Sequence, residues 1–409
     1  MRAVVFGAGR LGCGLVAPAL LDGGYDVSLV AKDSLVAGHL SRTGGYRLRI
    51  VDGRHITERE VSGVRVVSLA DGPAVIDAVA ASDVVATAVG TPALPSVAPM
   101  LAAGLHAGGA APTTVLTFEN GTDPARRLRA LLLAEPTGTA RADGWNVAGA
   151  LASRIVARRL GEPRGPDPFT FVADPPDRIA VDATAAGRLI APAAGMVLTP
   201  NYAAEVRRKL SVFSAGHAAA AYIGFLKGYR YVHAAVRDPE VRQIVLGVME
   251  EGQRGLAARY GERFAGTADL RHENLHRFEN AALDDLVTRV GREPMRKLGP
   301  TERLVGTAVL AEEAGRLPRS LALVMAAALC FHLRREDDAE GAYPLATVQD
   351  VLTRVAGLSL DRGLGRRARD AFLDIAPGIA QGNVLLDLRH RVWSRAAIPP
   401  VSVESEVAR

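Results

Sequence analysis

The 409-residue sequence predicts an α/β fold, with a parallel sheet in the first half and a second, mainly α-helical domain behind it. Three observations carry this. Short apolar runs alternate with helical stretches from Arg2 to Phe118, the pattern of a parallel sheet. A glycine-rich turn joins the first of these runs to the first helix. After Pro200 strand signals fade and helical segments succeed one another.

Taken in order, Arg2–Phe6 is the first strand, and the helix behind it is stopped by Gly23-Gly24. Asp26–Ala31 is the second strand, followed by strands at Tyr46–Val51, Val64–Leu69, Val84–Val89 and Thr114–Phe118. Between residues 140 and 200 the pattern is irregular, with prolines at 163, 166, 168, 175, 176, 192 and 200. This stretch reads as extra strands and loops that finish the sheet. Residues 202–228, 238–259, 301–315, 319–335 and 366–375 read as helices. The expected domains are therefore 1–200 and 201–395, with 396–409 an exposed tail containing Pro399-Pro400.

At 48% hydrophobic and 23% charged residues the composition is that of an ordinary globular chain, not a disordered one. Two cysteines, Cys13 and Cys330, exclude a disulfide scaffold and fit free thiols in a reducing compartment. The apolar run Leu321–Leu333 is too short to cross a bilayer, and a strand pattern starting at Arg2 leaves no signal peptide. A cytoplasmic protein without a membrane partner is expected, either monomer or homodimer. The net charge of +5 is spread without a Lys/Arg block. That argues against nucleic acid and for an anionic small molecule.

Gly7-Ala-Gly9-Arg10-Leu11-Gly12 follows a strand and opens a helix. In that setting the first glycine allows a tight turn, the second lets a pyrophosphate reach the backbone, and the third permits close packing. The reading is a Rossmann-type, doubly wound dinucleotide-binding domain; a structural turn or another nucleotide is the alternative. Arg10, Leu11, Val89 and Gly90 complete the expected cofactor contacts. Strand two ends in Ala31-Lys32-Asp33, where an NAD-specific domain carries an acid at the position of Ala31. Lys32, helped by Arg42, suits a 2′-phosphate, so the cofactor is NAD or NADP with a lean to NADP. Asp33, one turn later, is the alternative ribose partner.

Lysine is scarce: Lys32, Lys209, Lys227 and Lys297 are the four among 49 basic residues. Lysine can give up its proton when buried, whereas arginine stays charged. Lys209 lies in the charged first part of the helix 202–228, which continues through Ser214 to His217. Eight residues on a helix separate two side chains by about 80° and about 12 Å. The two heads converge only if the helix kinks near Ala215-Gly216 or the side chains reach along a groove. Read alone, the pair fits better a surface lysine and a core histidine satisfied by a hydroxyl.

This segment resembles the Lys-x4-Asn-x2-His signature of the polyol-specific long-chain dehydrogenases, the mannitol dehydrogenase family. The likeness runs in register from Phe6-Gly-Ala-Gly9 through Ala88-Val-Gly90 and Glu119-Asn120. It continues at Arg277-Phe-Glu-Asn280, Asp284-Asp285, Arg289-Val-Gly-Arg292, Arg296-Lys297-Leu298, Arg303-Leu304 and Arg335-Glu-Asp-Asp338. The resemblance implies a metal-free hydride transfer between NAD(P) and the secondary alcohol of a polyol or sugar phosphate, of the mannitol 1-phosphate and fructose 6-phosphate type. It implies Lys209 as general base, His217 orienting the reacting oxygen, and Asn120 polarising the carbonyl, in a cleft between two domains. Three positions depart from the family pattern: Ser214 for an asparagine, Ala31 for an acid, and Cys13 for an arginine. Ser214 is the motive for an alternative substrate, such as a cyclitol phosphate, another sugar phosphate or an unphosphorylated polyol. A non-catalytic nucleotide or sugar-phosphate sensor is the other alternative.

Arg292, Arg296, Lys297 and Arg303 form a basic cluster that the resemblance assigns to a substrate phosphate. Structural pairing with Glu293, Glu302 or Asp285 is the competing reading. His272-Glu273-x-x-His276 matches a zinc-hydrolase pattern, but no third ligand stands out and no metal is expected.

Overall fold

The computed structural model describes residues 1–109, 112–121, 123–139, 144–187, 193–336 and 345–380. The expected tail 396–409 and Asp337-Asp338 of the last matched motif lie outside the described residues. The chain divides into two compact units. One comprises residues 1–210 with 260–286, and the other 211–259 with the chain from 287 onward. The segment 260–286, which the sequence places in the helical domain, thus counts with the first unit.

The first unit contains strands Arg2–Phe6 (β1), Asp26–Ala31 (β2), Gly45–Asp52 (β3), His55–Ser62 (β4), Arg65–Ser68 (β5) and Val84–Thr87 (β6). They are followed by Thr113–Thr117 (β7), Trp145–Ala152 (β8), Val156–Leu160 (β9), Thr170–Ala173 (β10), Ile179–Asp182 (β11) and Met196–Thr199 (β12). The main sheet has the order β12-β11-β8-β7-β6-β1-β2-β5. From β5 to β8 every pairing is parallel, and β11 joins β8 antiparallel. The crossover between β2 and β6 on either side of β1 is that of a doubly wound dinucleotide-binding sheet. Both faces are covered, which explains the unbroken apolar runs. Along β1, Ala3 and Val5 enter one core while Val4 and Phe6 enter the other.

The expected strand at Tyr46–Val51 is present but does not belong to this sheet. It pairs with β4, β10 and β9 in a separate four-stranded sheet. The reason is local. Asp52 pairs with His55 across a two-residue turn whose Gly53 has φ +59°. Such a turn makes an antiparallel hairpin, so one edge of β3 is taken by β4 and the other by β10. The irregular stretch before Pro200 is likewise divided: β8, β11 and β12 finish the main sheet, whereas β9 and β10 join the second.

The Arg277-Phe-Glu-Asn280 motif closes the first unit. Arg277, at the end of the helix Ala268–Phe278, donates to Asp174 Oδ2 at 2.8 Å and to the Ser153 carbonyl at 2.7 Å. Asn280 donates to the Val51 carbonyl at 2.7 Å, in the second sheet. Asp174 is fully buried and also accepts the Ile155 amide at 2.6 Å.

The second unit is helical. Its helix Arg319–Glu336 is apolar on all sides from Leu321 to Phe331, as a central helix must be. The Phe331 ring meets those of Tyr222 and Phe225 at 5.3 and 4.6 Å. Glu251 caps this helix from the neighbouring helix Pro239–Tyr260, accepting the Ser320 and Leu321 amides at 2.8 and 2.9 Å. Among the described residues no helix is long and apolar enough to cross a membrane.

Replacing Arg277 with Met strands the buried Asp174 carboxylate, and breaking a buried pair in this way costs about 3–5 kcal/mol. The urea midpoint of Arg277→Met is expected to fall accordingly, and adding Asp174→Leu should recover part of the loss. An unchanged midpoint in the single variant would show that the pair does not anchor this unit.

Candidate active site

The glycine loop has the geometry that phosphate binding needs. Gly7 has φ +111°, and a Cβ there would lie 2.6 Å from the Ala88 carbonyl oxygen. A Cβ at Gly12 would overlap the Gly7 carbonyl oxygen. Gly9 differs, since a Cβ there would meet nothing within 4 Å. The loop is thus packed tightly on both sides of Gly9 and open at it, and the helix behind begins with a wide π-turn at Gly12–Val16. Leu11 packs on the core, and Arg10 reaches the Ala157 carbonyl at 3.5 Å. Cys13 points away from the loop, buried in the core beside Tyr46, where desolvation pushes its thiol up.

At the end of β2, Ala31 is buried and Lys32 and Asp33 are exposed. Asp33 caps the next helix, its Oδ1 accepting the amides of Leu35 and Val36 at 2.9 and 3.4 Å. Arg42 does not join Lys32. It sits in the last turn of that helix and donates to the carbonyls of Pro163 and Gly165 at 3.3 and 3.2 Å. The Nη2 of Arg42, expected to help Lys32, thus binds a loop.

Behind β6, Val89 and Gly90 form the second turn at this sheet edge, with Gly90 at φ +87°. The Val89 amide donates to Glu119 Oε1 at 3.0 Å, and Thr87 Oγ1 donates to Oε2 at 2.7 Å. Thr91 Oγ1 donates to the Asn120 carbonyl at 3.3 Å. Glu119 is 7% exposed, and burial pushes its carboxyl up against the opposing hydrogen bonds from Thr87 and Val89. It is a site residue to which the motif reading gave no role. The signal was a carboxylate directly behind the apolar strand at Thr114–Phe118.

The adjoining Asn120 meets Lys209. Lys209 Nζ donates to Asn120 Oδ1 at 3.3 Å, within the first unit. Two of the expected catalytic residues, 89 positions apart, are thereby brought together. From Lys209 to Ser214 the helix makes a π-turn and then continues as Ala215–Leu226. The irregularity thus lies before the Ala215-Gly216 position expected for a kink. A π-turn adds one residue to the helical repeat, so the azimuth between Lys209 and His217 shrinks from about 80° to about 20° along the helix. Ser214 and His217 are both buried, at 7% and 8% exposure, and the Phe213 ring lies 5.6 Å from that of His217.

In the second unit the basic cluster is largely paired internally. Arg296 donates to Glu293 at 2.9 Å and to Glu302 at 3.3 Å, and buried Arg303 pairs with Glu302 at 3.0 Å. Lys297 is buried, donates to the Arg292 carbonyl, and lies 6.0 Å from the centre of the Tyr222 ring. Burial pulls its amine down to about 6, helped by repulsion from Arg303 and Arg296. Arg292 is exposed, with its Nε on the Arg289 carbonyl at 3.1 Å. His272, Glu273 and His276 are exposed on their helix. Among the described residues no group of three or more His, Cys, Asp or Glu is arranged to hold a metal.

Residues 1–155 match the family model of the mannitol dehydrogenase Rossmann domain, and 203–356 that of the mannitol dehydrogenase C-terminal domain. The chain belongs to the mannitol dehydrogenase family. Membership makes it a polyol dehydrogenase, an oxidoreductase. Within this family, the mannitol-1-phosphate 5-dehydrogenase of Shouchella clausii (strain KSM-K16) is 32% identical over 348 residues, covering 83% of this chain and 91% of the relative. The fold is shared with Pseudomonas fluorescens mannitol 2-dehydrogenase, solved as a ternary complex with NAD and D-mannitol. That likeness has a TM-score of 0.75 at 18% identity, over 94% of this chain and 92% of that one. A substrate-free D-sorbitol dehydrogenase follows with a TM-score of 0.69 at 16% identity, over 94% of each chain.

The buried Lys297 makes stability depend on pH. Its folded value lies near about 6, below the ordinary lysine value of about 10.4, so the unfolded chain binds the proton more tightly. Its contribution to stability is present at high pH and is lost as pH falls toward that lower value. Lys297→Met is expected to flatten the rise in melting temperature from pH 6 to pH 9, roughly the window between these two values. An equal slope in both proteins would refute the assignment.

Proposed function

We propose that this chain interconverts a secondary alcohol of a polyol phosphate and the corresponding ketone with NAD(P), mannitol 1-phosphate and fructose 6-phosphate being the pair of first choice. The observation that carries the reading is the Lys209–Asn120 hydrogen bond behind β7, at the carboxyl edge of the sheet, where doubly wound domains bind their ligands.

The open face at Gly9 and the amides of the helix behind it suit the diphosphate of a dinucleotide, with Val89 and Gly90 lining the neighbouring turn. When bound, the nicotinamide supplies a hydride acceptor or donor. The residues of the chain handle the proton and the oxygen. In alcohol oxidation the Lys209 amine takes the hydroxyl proton, and in ketone reduction its ammonium returns one. An ammonium only donates, so Asn120 turns its oxygen toward Lys209 and keeps its amide N–H groups for the substrate oxygen. His217 orients that same oxygen, with Ser214 as a shorter hydroxyl donor where the family has an amide.

The phosphate is inferred from the 32% identical relative, whose name states a phosphorylated substrate. Within the cluster, exposed Arg292 suits the first approach of an anion, whereas Arg296 and Arg303 would share theirs with Glu293 and Glu302. The lean to NADP is supported by Lys32, exposed behind the apolar Ala31, and by Asp33 being engaged as a helix cap.

Fructose 6-phosphate with reduced nicotinamide, followed by the loss of its absorbance, tests the reading directly. Lys209→Ala is expected to lower turnover by about 10²–10⁴-fold while dinucleotide binding persists. Turnover at the wild-type rate would remove Lys209 from the mechanism. NADPH is expected to outperform NADH, and Lys32→Ala to raise the NADPH KM about tenfold, the loss of one charge-assisted hydrogen bond, with the NADH KM unchanged. A preference for NADH that Lys32→Ala does not alter would overturn the cofactor assignment.

A further inference from the structure

The π-turn from Lys209 to Ser214 is a rare backbone form, and such turns persist where neighbouring groups hold them. Two groups from other helices of the second unit close on Ser211, in the middle of this turn. Gly252, in the helix Pro239–Tyr260, faces the Ser211 peptide so closely that a Cβ would overlap its carbonyl oxygen and lie 2.9 Å from its carbonyl carbon. Thr307, in the helix Val305–Glu313, donates from Oγ1 to Ser211 Oγ at 3.2 Å. Ser211 and Thr307 are both fully buried. The Thr307 methyl would lie 3.2 Å from that same Cβ, so the space at Gly252 is shut on two sides. One turn back along the helix, Met249 packs against Gly216, where a Cβ would lie 2.7 Å from its terminal methyl.

We propose that Gly252 and Thr307 are positioning residues that clamp Ser211, hold the π-turn, and thereby aim Lys209. The inference rests on the reading of Lys209 as the general base. A side chain at 252 meets the Ser211 peptide first and most severely, so the clash falls on the π-turn. Lys209 is two residues before Ser211 and Ser214 three residues after it, so both shift with the turn. A displacement of about 1 Å at a reacting group costs on the order of 100-fold in rate. Gly252 contributes no chemistry of its own; its part is the absence of a side chain.

The same helix supplies the control. Gly255 is also closely packed, with a Cβ there lying 2.9 Å from the Leu310 carbonyl, but it faces the helix Val305–Glu313 and not the π-turn. Gly252→Ala and Gly255→Ala therefore both press a methyl against backbone, more severely at 252, and with different targets. The experiment measures kcat, substrate KM, dinucleotide affinity by fluorescence titration, and melting temperature for both, with Lys209→Ala alongside. Gly252→Ala is expected to lower kcat about 100-fold with dinucleotide affinity unchanged, and Gly255→Ala to retain kcat despite its own loss of melting temperature. If Gly252→Ala does not fold, Thr307→Val replaces it: kcat falls with dinucleotide affinity unchanged, and Thr307→Ser restores it. Wild-type kcat in Gly252→Ala or in Thr307→Val, or losses of kcat that track melting temperature equally at 252 and 255, overturns the clamp. Retained turnover in Lys209→Ala overturns instead the base reading on which it rests.

Discussion

Glu119 joins the ends of two neighbouring strands, and the rest of the site in the first unit depends on that junction. Its two oxygens take the Thr87 hydroxyl and the Val89 amide, while Thr91 reaches across to the next carbonyl at Asn120. The turn behind β6 and the turn behind β7 are therefore fixed relative to each other. The former carries Val89 and Gly90, and the latter presents Asn120 to Lys209. Burying a carboxylate is costly without compensation. Here the desolvation that pushes its proton affinity up is offset by two donors aimed from a rigid strand edge. An apolar residue at 119 would leave the Val89 amide without this acceptor, so a side-chain oxygen is needed at this place.

The four lysines show how far residue scarcity can guide a reading. Lys209 and Lys32 stand at the carboxyl edge of the main sheet, after elements that converge there. Lys227 does something else: Asp238 and Glu240 hold it at 2.6 and 2.7 Å, tying the end of the helix Ala215–Leu226 to the start of the helix Pro239–Tyr260. Lys297 is buried among arginines, with its proton affinity reduced. An arginine could form the two ion pairs of Lys227, so scarcity by itself does not separate a structural lysine from a reactive one.

The parallel sheet was legible because each of its strands is a local apolar run followed by a local break, as at Phe6-Gly7 and Ala31-Lys32. The second sheet was not. His55–Ser62 is polar along most of its length, and only its Cα pairing with Tyr46–Val51 makes it a strand. The return of Arg277 and Asn280 to the first unit was equally invisible, since their partners Asp174 and Val51 lie 103 and 229 positions away. For the basic cluster, composition exposed the cations, and Glu293 and Glu302 were weighed as partners. Pairing geometry alone decided which arginines those glutamates engage.

The end of β2 makes the same point with charge. A carboxylate at the position of Ala31 would accept from a ribose hydroxyl and repel a phosphate in its place. Asp33 is near in sequence, but its Oδ1 is turned to the amides of Leu35 and Val36, and the positive helix end takes up its charge. What remains at that corner is a buried methyl at Ala31 and an exposed ammonium at Lys32. Discrimination of the two dinucleotides would then come first from a repulsion that this chain lacks, and second from the attraction of a flexible, solvated lysine. An exposed attraction of that kind is screened by salt, whereas a missing repulsion is not. On the proposed NADP reading, acceptance of the phosphorylated cofactor should persist at high ionic strength while preference for it declines.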